Sequence, residues 1–164
     1  MPGPATRQDP GAARRWGLDS SMRDHLLRRL ARPEPRNAIA AALRRYAHGG
    51  MDVSDGLAGD LAKMCRAARL DAAVDVARVP LSRAARAALA AEPALIETIL
   101  TGGDDYEVLA AAPGRDTERL RQAAKQAGVA ITEIGRMSAG SGRARFVDRD
   151  GRPLKFVRPS FSHF

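Results

Sequence analysis

Two short stretches put carboxylates where cation and phosphate chemistry can be done. Asp52-Val53-Ser54-Asp55, followed by Gly56-Leu57, reads as an acidic junction between an extended segment and a helix. If 51–54 is extended, side chains alternate, so Asp52 and Ser54 project on one face while Met51 and Val53 fill the core side. Asp55 then falls where the chain turns into a helix, whose free N–H groups attract anions. A carboxylate pair at such a terminus suits a hard cation that bridges protein to phosphate. Magnesium takes one or two carboxylates and completes its shell with phosphate oxygens and water. The plainer alternative is capping, with Ser54 or Asp55 accepting from the first helical N–H groups.

The second stretch is Thr101-Gly102-Gly103-Asp104-Asp105-Tyr106-Glu107. Paired glycines let the backbone approach a ligand closely or take positive φ. Adjacent carboxylates repel, and a cation or donor nearby keeps them together more readily. Its plainer alternative is a Gly-Gly-Asp turn leading into an ordinary strand. Two separate acidic junctions in one small basic chain favour a site. Elsewhere the signals are weaker. Cys65 sits at a core position of its helix and reads as a small buried hydrophobe. His25, His48 and His163 lie far apart without metal-ligand spacing, and no serine or cysteine motif offers a triad. Gly140-Ser141-Gly142 reads as a flexible turn. The ending Ser160-Phe161-Ser162-His163-Phe164 places aromatics at a terminus, where they must pack on something or meet a ligand.

The elements that position these stretches follow from punctuation and period. Residues 1–21, rich in Pro, Gly, Arg and Ala, predict a flexible basic tail. An amphipathic helix is expected over 22–31, with Leu26, Leu27 and Leu30 on one side, before Pro33 and Pro35 break the chain. A second helix over 37–47 buries Ile39, Leu43 and Tyr46 and ends at Gly49-Gly50. After the 51–54 strand, Leu57, Leu61, Met64, Cys65 and Ala68 mark the apolar side of a helix, with Asp60, Lys63 and Arg66 opposite. Strands are predicted over 72–77, 106–111, 129–136, 143–148 and 154–157, the last two joined by Asp150-Gly151. Helices are predicted through Leu89 after a Ser82 cap, over 93–100, and over 117–127 with Gly128 closing it. Strands and helices mix without strict alternation. The fold class is therefore α/β of the α+β kind, a mixed sheet flanked by helices.

Composition narrows the function classes. At 164 residues one compact domain is expected, and no apolar run approaches the ~18 residues that cross a bilayer. No export signal is read and the single cysteine excludes a disulfide scaffold, so a reducing cytoplasm is the expected location. The net charge of +8 suggests nucleic acid, but residues 1–45 carry +6 of it and the remainder only +2. Only three of the 27 basic residues are lysines, an arginine bias that resembles coding bias rather than selection for phosphate contacts. Aromatics for base stacking are only 4% of the chain. Nucleic acid is not the expected partner.

Met51-Asp-Val-Ser-Asp-Gly-Leu57, Leu100-Thr-Gly-Gly-Asp-Asp-Tyr-Glu107 and the aromatic-X-His-Phe ending together resemble the thiamine-monophosphate kinase family. Arg32-Pro-Glu-Pro-Arg36 and Val79-Pro-Leu-Ser82 also look like it. Single motifs are shared with aminoimidazole-ribotide synthetase, selenophosphate synthetase and hydrogenase-maturation proteins, but their order and the tail favour the thiamine enzyme. The resemblance implies a carboxyl-terminal domain of the aminoimidazole-ribotide synthetase type over 22–164. It implies transfer of the ATP γ-phosphoryl group to thiamine monophosphate, giving thiamine diphosphate. By it, Asp52 and Asp55 would hold Mg2+, Ser54 would touch ATP, Asp104 or its neighbour Asp105 would face the thiamine phosphate, and Phe161 would contact the thiamine rings. The family's amino-terminal domain, with its own ATP and magnesium site, has no counterpart here, and Ser160 stands where the family tends to have glycine. A separate amino-terminal half or a homo-oligomer is then expected as partner. The alternative is a non-catalytic relic of the fold, or a module that only binds thiamine phosphates.

Overall fold

The computed structural model describes residues 10–157. The described residues fall into two compact units, 10–34 with 80–99, and 35–79 with 100–157.

The first unit is helical. Residues 10–15, expected to lack structure, form helix α1 (Pro10–Arg15). It is followed by Trp16, whose indole N–H donates to Glu92 at 2.8 Å. Helix α2 (Ser20–Ala31) starts where the Asp19 carboxylate accepts from the Met22 N–H at 2.8 Å. Within this unit its apolar side is not closed over: Leu27 and Leu30 are exposed. Helix α5 (Arg83–Ala91) is capped by Ser82, as its sequence predicts, through a 3.0 Å bond from the Ala85 N–H.

The second unit holds the sheets. A 3-10 turn (Asn37–Ile39) leads into α3 (Ala40–Tyr46), shorter than the expected 37–47 helix. The two glycines thought to close that helix instead open β1 (Gly49–Val53). Helix α4 (Leu57–Ala68) follows, then β2 (Leu70–Asp75), two residues earlier than the expected strand. The last two residues of helix α6 (Leu95–Thr101) belong to this unit, and of them Leu100 is fully buried. Strand β3 (Glu107–Ala111) pairs antiparallel with β1, Asp52 opposite Val108 and Val53 opposite Glu107. Helix α7 (Thr117–Gln126) packs Leu120 and Ala124 against Ile39 and Ala42 of the α3 region. Strands β4 (Gly135–Ala139), β5 (Ala144–Val147) and β6 (Pro153–Leu154) complete a sheet of order β4-β2-β5-β6, in which only β2 and β5 run parallel. The mixed α/β class holds.

The strand predicted over 129–136 is mostly a loop. Val129 and Ile131 pack on the α3–α7 cluster as loop residues, and the ladder begins only at Gly135. Gly135 is needed there, since a Cβ would stand 2.1 Å from the Ala73 carbonyl oxygen. The Gly140-Ser141-Gly142 turn is also not loose. The Asp71 carboxylate accepts from the Ser141, Gly142 and Arg143 N–H groups at 2.9, 3.1 and 2.8 Å. Such converging N–H groups form an anion-holding concavity, and here the anion is the chain's own.

Candidate functional site

β1, the first turn of α4 and the segment before β3 bring the two acidic stretches together. Val53 is buried, so β1 is anchored on one side while Asp52 is turned to solvent. The Asp104 N–H donates to the Ser54 carbonyl at 2.9 Å, which ties the second stretch to the first. Gly56 makes that approach possible. It has φ +96°, and a Cβ there would lie 2.6–2.7 Å from Thr101 and Gly102 backbone atoms. Asp104 and Tyr106 also take positive φ, so the segment turns twice before β3 begins. The strand expected from residue 106 therefore starts at Glu107, and only Leu109 of β3 is buried.

A groove of about 420 Å³ opens over this junction, lined by Arg36, Asp52, Ser54, Asp104, Tyr106 and Glu107 among others. The Arg36 guanidinium grips Glu107 with two bonds, 2.9 Å from Nε and 2.6 Å from Nη2, and so fixes the start of the 37–39 turn to the start of β3. Asp52, Ser54 and Asp104 thus share one concavity. Asp105 is exposed outside that lining, and Phe161 lies outside the described residues.

Asp60 corrects the helical-wheel reading. Placed by period on the solvent side of α4, it is fully buried. Its Oδ2 accepts from the Ser54 and Asp55 N–H groups at 2.8 and 2.9 Å, and its Oδ1 from the Lys63 ammonium at 2.8 Å. Lys63 donates to the Asp55 carboxylate as well. Ser54 and Asp55 are therefore not the caps of α4: the cap position is Gly56, without a side-chain bond, and Asp60 reaches back to serve the turn instead. Burial pushes the Asp60 carboxyl up, but the Lys63 ammonium and the two N–H groups outweigh it and hold it below the ordinary value. The bonds to Asp55 and Asp60 push the Lys63 ammonium up. An acid in the first helical turn with a lysine three residues on was the available signal; periodicity alone hid it.

Cys65 is buried in α4 as expected, and burial raises its thiol. Among the described residues, no three His, Cys, Asp or Glu side chains converge as a ready metal cage. Asp52 and Ser54 line the groove while Asp55, next in sequence, lies outside that lining; oxygen donors this few suit a hard cation that keeps water and takes further oxygens from a ligand. Asp55 already rests against a cation, the Lys63 ammonium.

Residues 10–148 match the family described as AIR synthase related protein, C-terminal domain. The chain belongs to that family. Curated relatives of this family domain are thiamine-monophosphate kinases. That of Caulobacter vibrioides is 37% identical over 149 residues, covering 88% of this chain and 42% of its own length. That of Escherichia coli K12 is 36% identical over 146 residues, covering 89% and 44%. The solved thiamine-monophosphate kinase of Stenotrophomonas maltophilia K279a superposes with a TM-score of 0.72 at 32% identity, over 88% of this chain and 47% of that one. A structure described as AaThiL complexed with AMPPCP and TMP gives 0.67 at 25% identity, over 93% and 48%. The chain thus spans less than half the length of these relatives.

Proposed function

We propose that the chain is the carboxyl-terminal part of an ATP-dependent thiamine-phosphate kinase. In the reaction a phosphate oxygen of thiamine monophosphate attacks the γ-phosphorus of ATP. The bond from that phosphorus to the β-bridging oxygen breaks, leaving ADP and thiamine diphosphate. Asp52 and Asp55 are the ligands for Mg2+, which when bound supplies positive charge against the phosphates. Ser54 touches the nucleotide, Asp104 or Asp105 faces the thiamine phosphate, and Phe161 contacts the thiamine rings. The observation that carries the reading is the Asp104 N–H bonded to the Ser54 carbonyl, which puts two acidic stretches of distant sequence on one groove. Phosphoryl transfer asks mainly for positioning and electrostatics, and turns fixed by backbone bonds supply positioning. The cytoplasm is the proposed location. The completed site would also draw on the part of the kinase that lies amino-terminal to these residues in its relatives, or on a second copy.

Calorimetry on the chain assembled with the amino-terminal part of a thiamine-monophosphate kinase, with magnesium, a non-hydrolysable ATP analogue and thiamine monophosphate, tests this. Asp52→Asn is expected to weaken the nucleotide about tenfold or more by removing a charge that a hard cation needs. Asp104→Asn should weaken thiamine monophosphate and spare the nucleotide. Asp150→Asn, at the exposed turn before β6, is the control. Equal behaviour of the three variants, or no binding of either ligand, overturns the assignment.

A further inference from the structure

The Lys63 ammonium stands between two carboxylates of unequal freedom. Asp60 is fully buried and pinned by the Ser54 and Asp55 N–H groups, so its position is set by the fold. The Asp55 side chain is 30% exposed and that of Lys63 43%, so this half of the bridge faces water. An ammonium is a compact point charge on a flexible four-carbon stem, able to keep one partner while leaving another. Here Nζ bonds Asp60 Oδ1 at 2.8 Å and Asp55 Oδ2 at the same time. It therefore neutralises Asp55, the carboxylate that the proposed function gives to a divalent cation.

We propose that Lys63 is a built-in counter-cation of the 52–55 turn, which a divalent cation at Asp55 displaces, leaving the ammonium on Asp60 alone. The inference rests on the reading of Asp55 as a metal ligand. Without metal, the ammonium keeps Asp55 and its turn in place. With metal, the arriving ion must overcome a resident positive charge, so Lys63 sets the affinity of the turn low. Asp60 is the anchor that keeps the displaced ammonium from leaving altogether.

Mn2+ titration of the full chain, read by the electron-paramagnetic-resonance signal of the free ion, tests this without any turnover. Lys63→Met should bind Mn2+ about tenfold tighter or more than the parent, the size of removing a nearby like charge. Lys63→Arg, which keeps the charge, should stay within about twofold of the parent, and both variants are checked for folding by thermal melts. In an Asp55→Asn background, Lys63→Met should change nothing. Parent binding that Asp55→Asn weakens, with Lys63→Met equal to or weaker than the parent, overturns the counter-cation while leaving Asp55 as a ligand. Binding that Asp55→Asn does not alter, or no binding by any chain, overturns both.

Discussion

At the residue scale, two carboxylates are held by backbone N–H groups, Asp71 by these and Asp60 by these together with the Lys63 ammonium. Asp71 takes three consecutive N–H groups and Asp60 takes two, and in both the carboxyl lies below its ordinary value. For Asp71 the Arg143 N–H is the largest cause, and burial only partly opposes it. A carboxylate whose folded pKa is depressed stabilises the protein above its unfolded pKa, and that stabilisation is lost as pH falls through the folded value. The chain should therefore hold its stability from neutral pH down to about 4, the unfolded value, and lose it below. Asp71→Asn should lower stability at pH 7, and the gap to the parent should close as pH drops below about 4. Urea unfolding at pH 7, 5 and 3 measures this; a gap that stays constant across the series would refute it. Asp52, Ser54 and Asp104 line one groove, and the two stretches that hold them were legible because acids beside a turn stand out in a sequence. Asp60 was not. The 54–55 backbone that it serves folds back over the first turn of α4, and a helical period carries no information about a loop.

At the element scale, the presence of β1, α4 and β3 was legible, because Val53, the Leu57-Leu61-Cys65 spacing and Leu109 mark chain that must be buried. The sequence failed where the backbone, not the side chains, makes the ladder. Gly135–Ala139 has no β-branched residue, yet it pairs along β2 from Leu70 to Val74. Val129 and Ile131 have strand-like types but serve a helix pair. Gly49-Gly50 looked like a helix stop and is a strand start, since a strand edge tolerates glycine when its partner carries the packing. The junction of β1 with α4 depends on one residue, Gly56. Its φ of +96° and ψ of 150° fall in a region close to glycine-only, and a Cβ would strike the Thr101–Gly102 backbone. Gly56→Ala should destabilise the chain by about 2 kcal/mol or more, and should weaken ligands at both acidic stretches together. Gly49→Ala, where a Cβ meets nothing within 4 Å, should change stability by less than about 0.5 kcal/mol. Chemical denaturation of the pair decides it; equal stability of the two variants would mean that the junction tolerates a side chain.

At the scale of the whole molecule, the question is how much of a phosphoryl-transfer apparatus these residues hold. The groove gathers Asp52, Ser54 and Asp104, with Arg36 tied to Glu107 beside them. Among the described residues no three metal-binding side chains converge. Phosphoryl transfer between two anionic substrates needs charge neutralisation at several oxygens and a grip on both partners. One turn-borne pair of carboxylates provides a fraction of that. Thiamine-monophosphate kinases similar to this chain have more than half their length beyond the part it matches, since the match covers 42% and 44% of two of them. These 164 residues, assayed as such with ATP, magnesium and thiamine monophosphate, should therefore release thiamine diphosphate no faster than a blank. Adding the separately produced amino-terminal part of the Caulobacter vibrioides kinase should raise both turnover and the melting temperature. A partner that binds only the folded state stabilises it by mass action, about 2.7 kcal/mol at a hundredfold excess over its dissociation constant. The melt and the assay are independent readouts of one association. A raised melt without turnover would leave a binding module, whereas unaided turnover by the chain would show that the groove is catalytically sufficient.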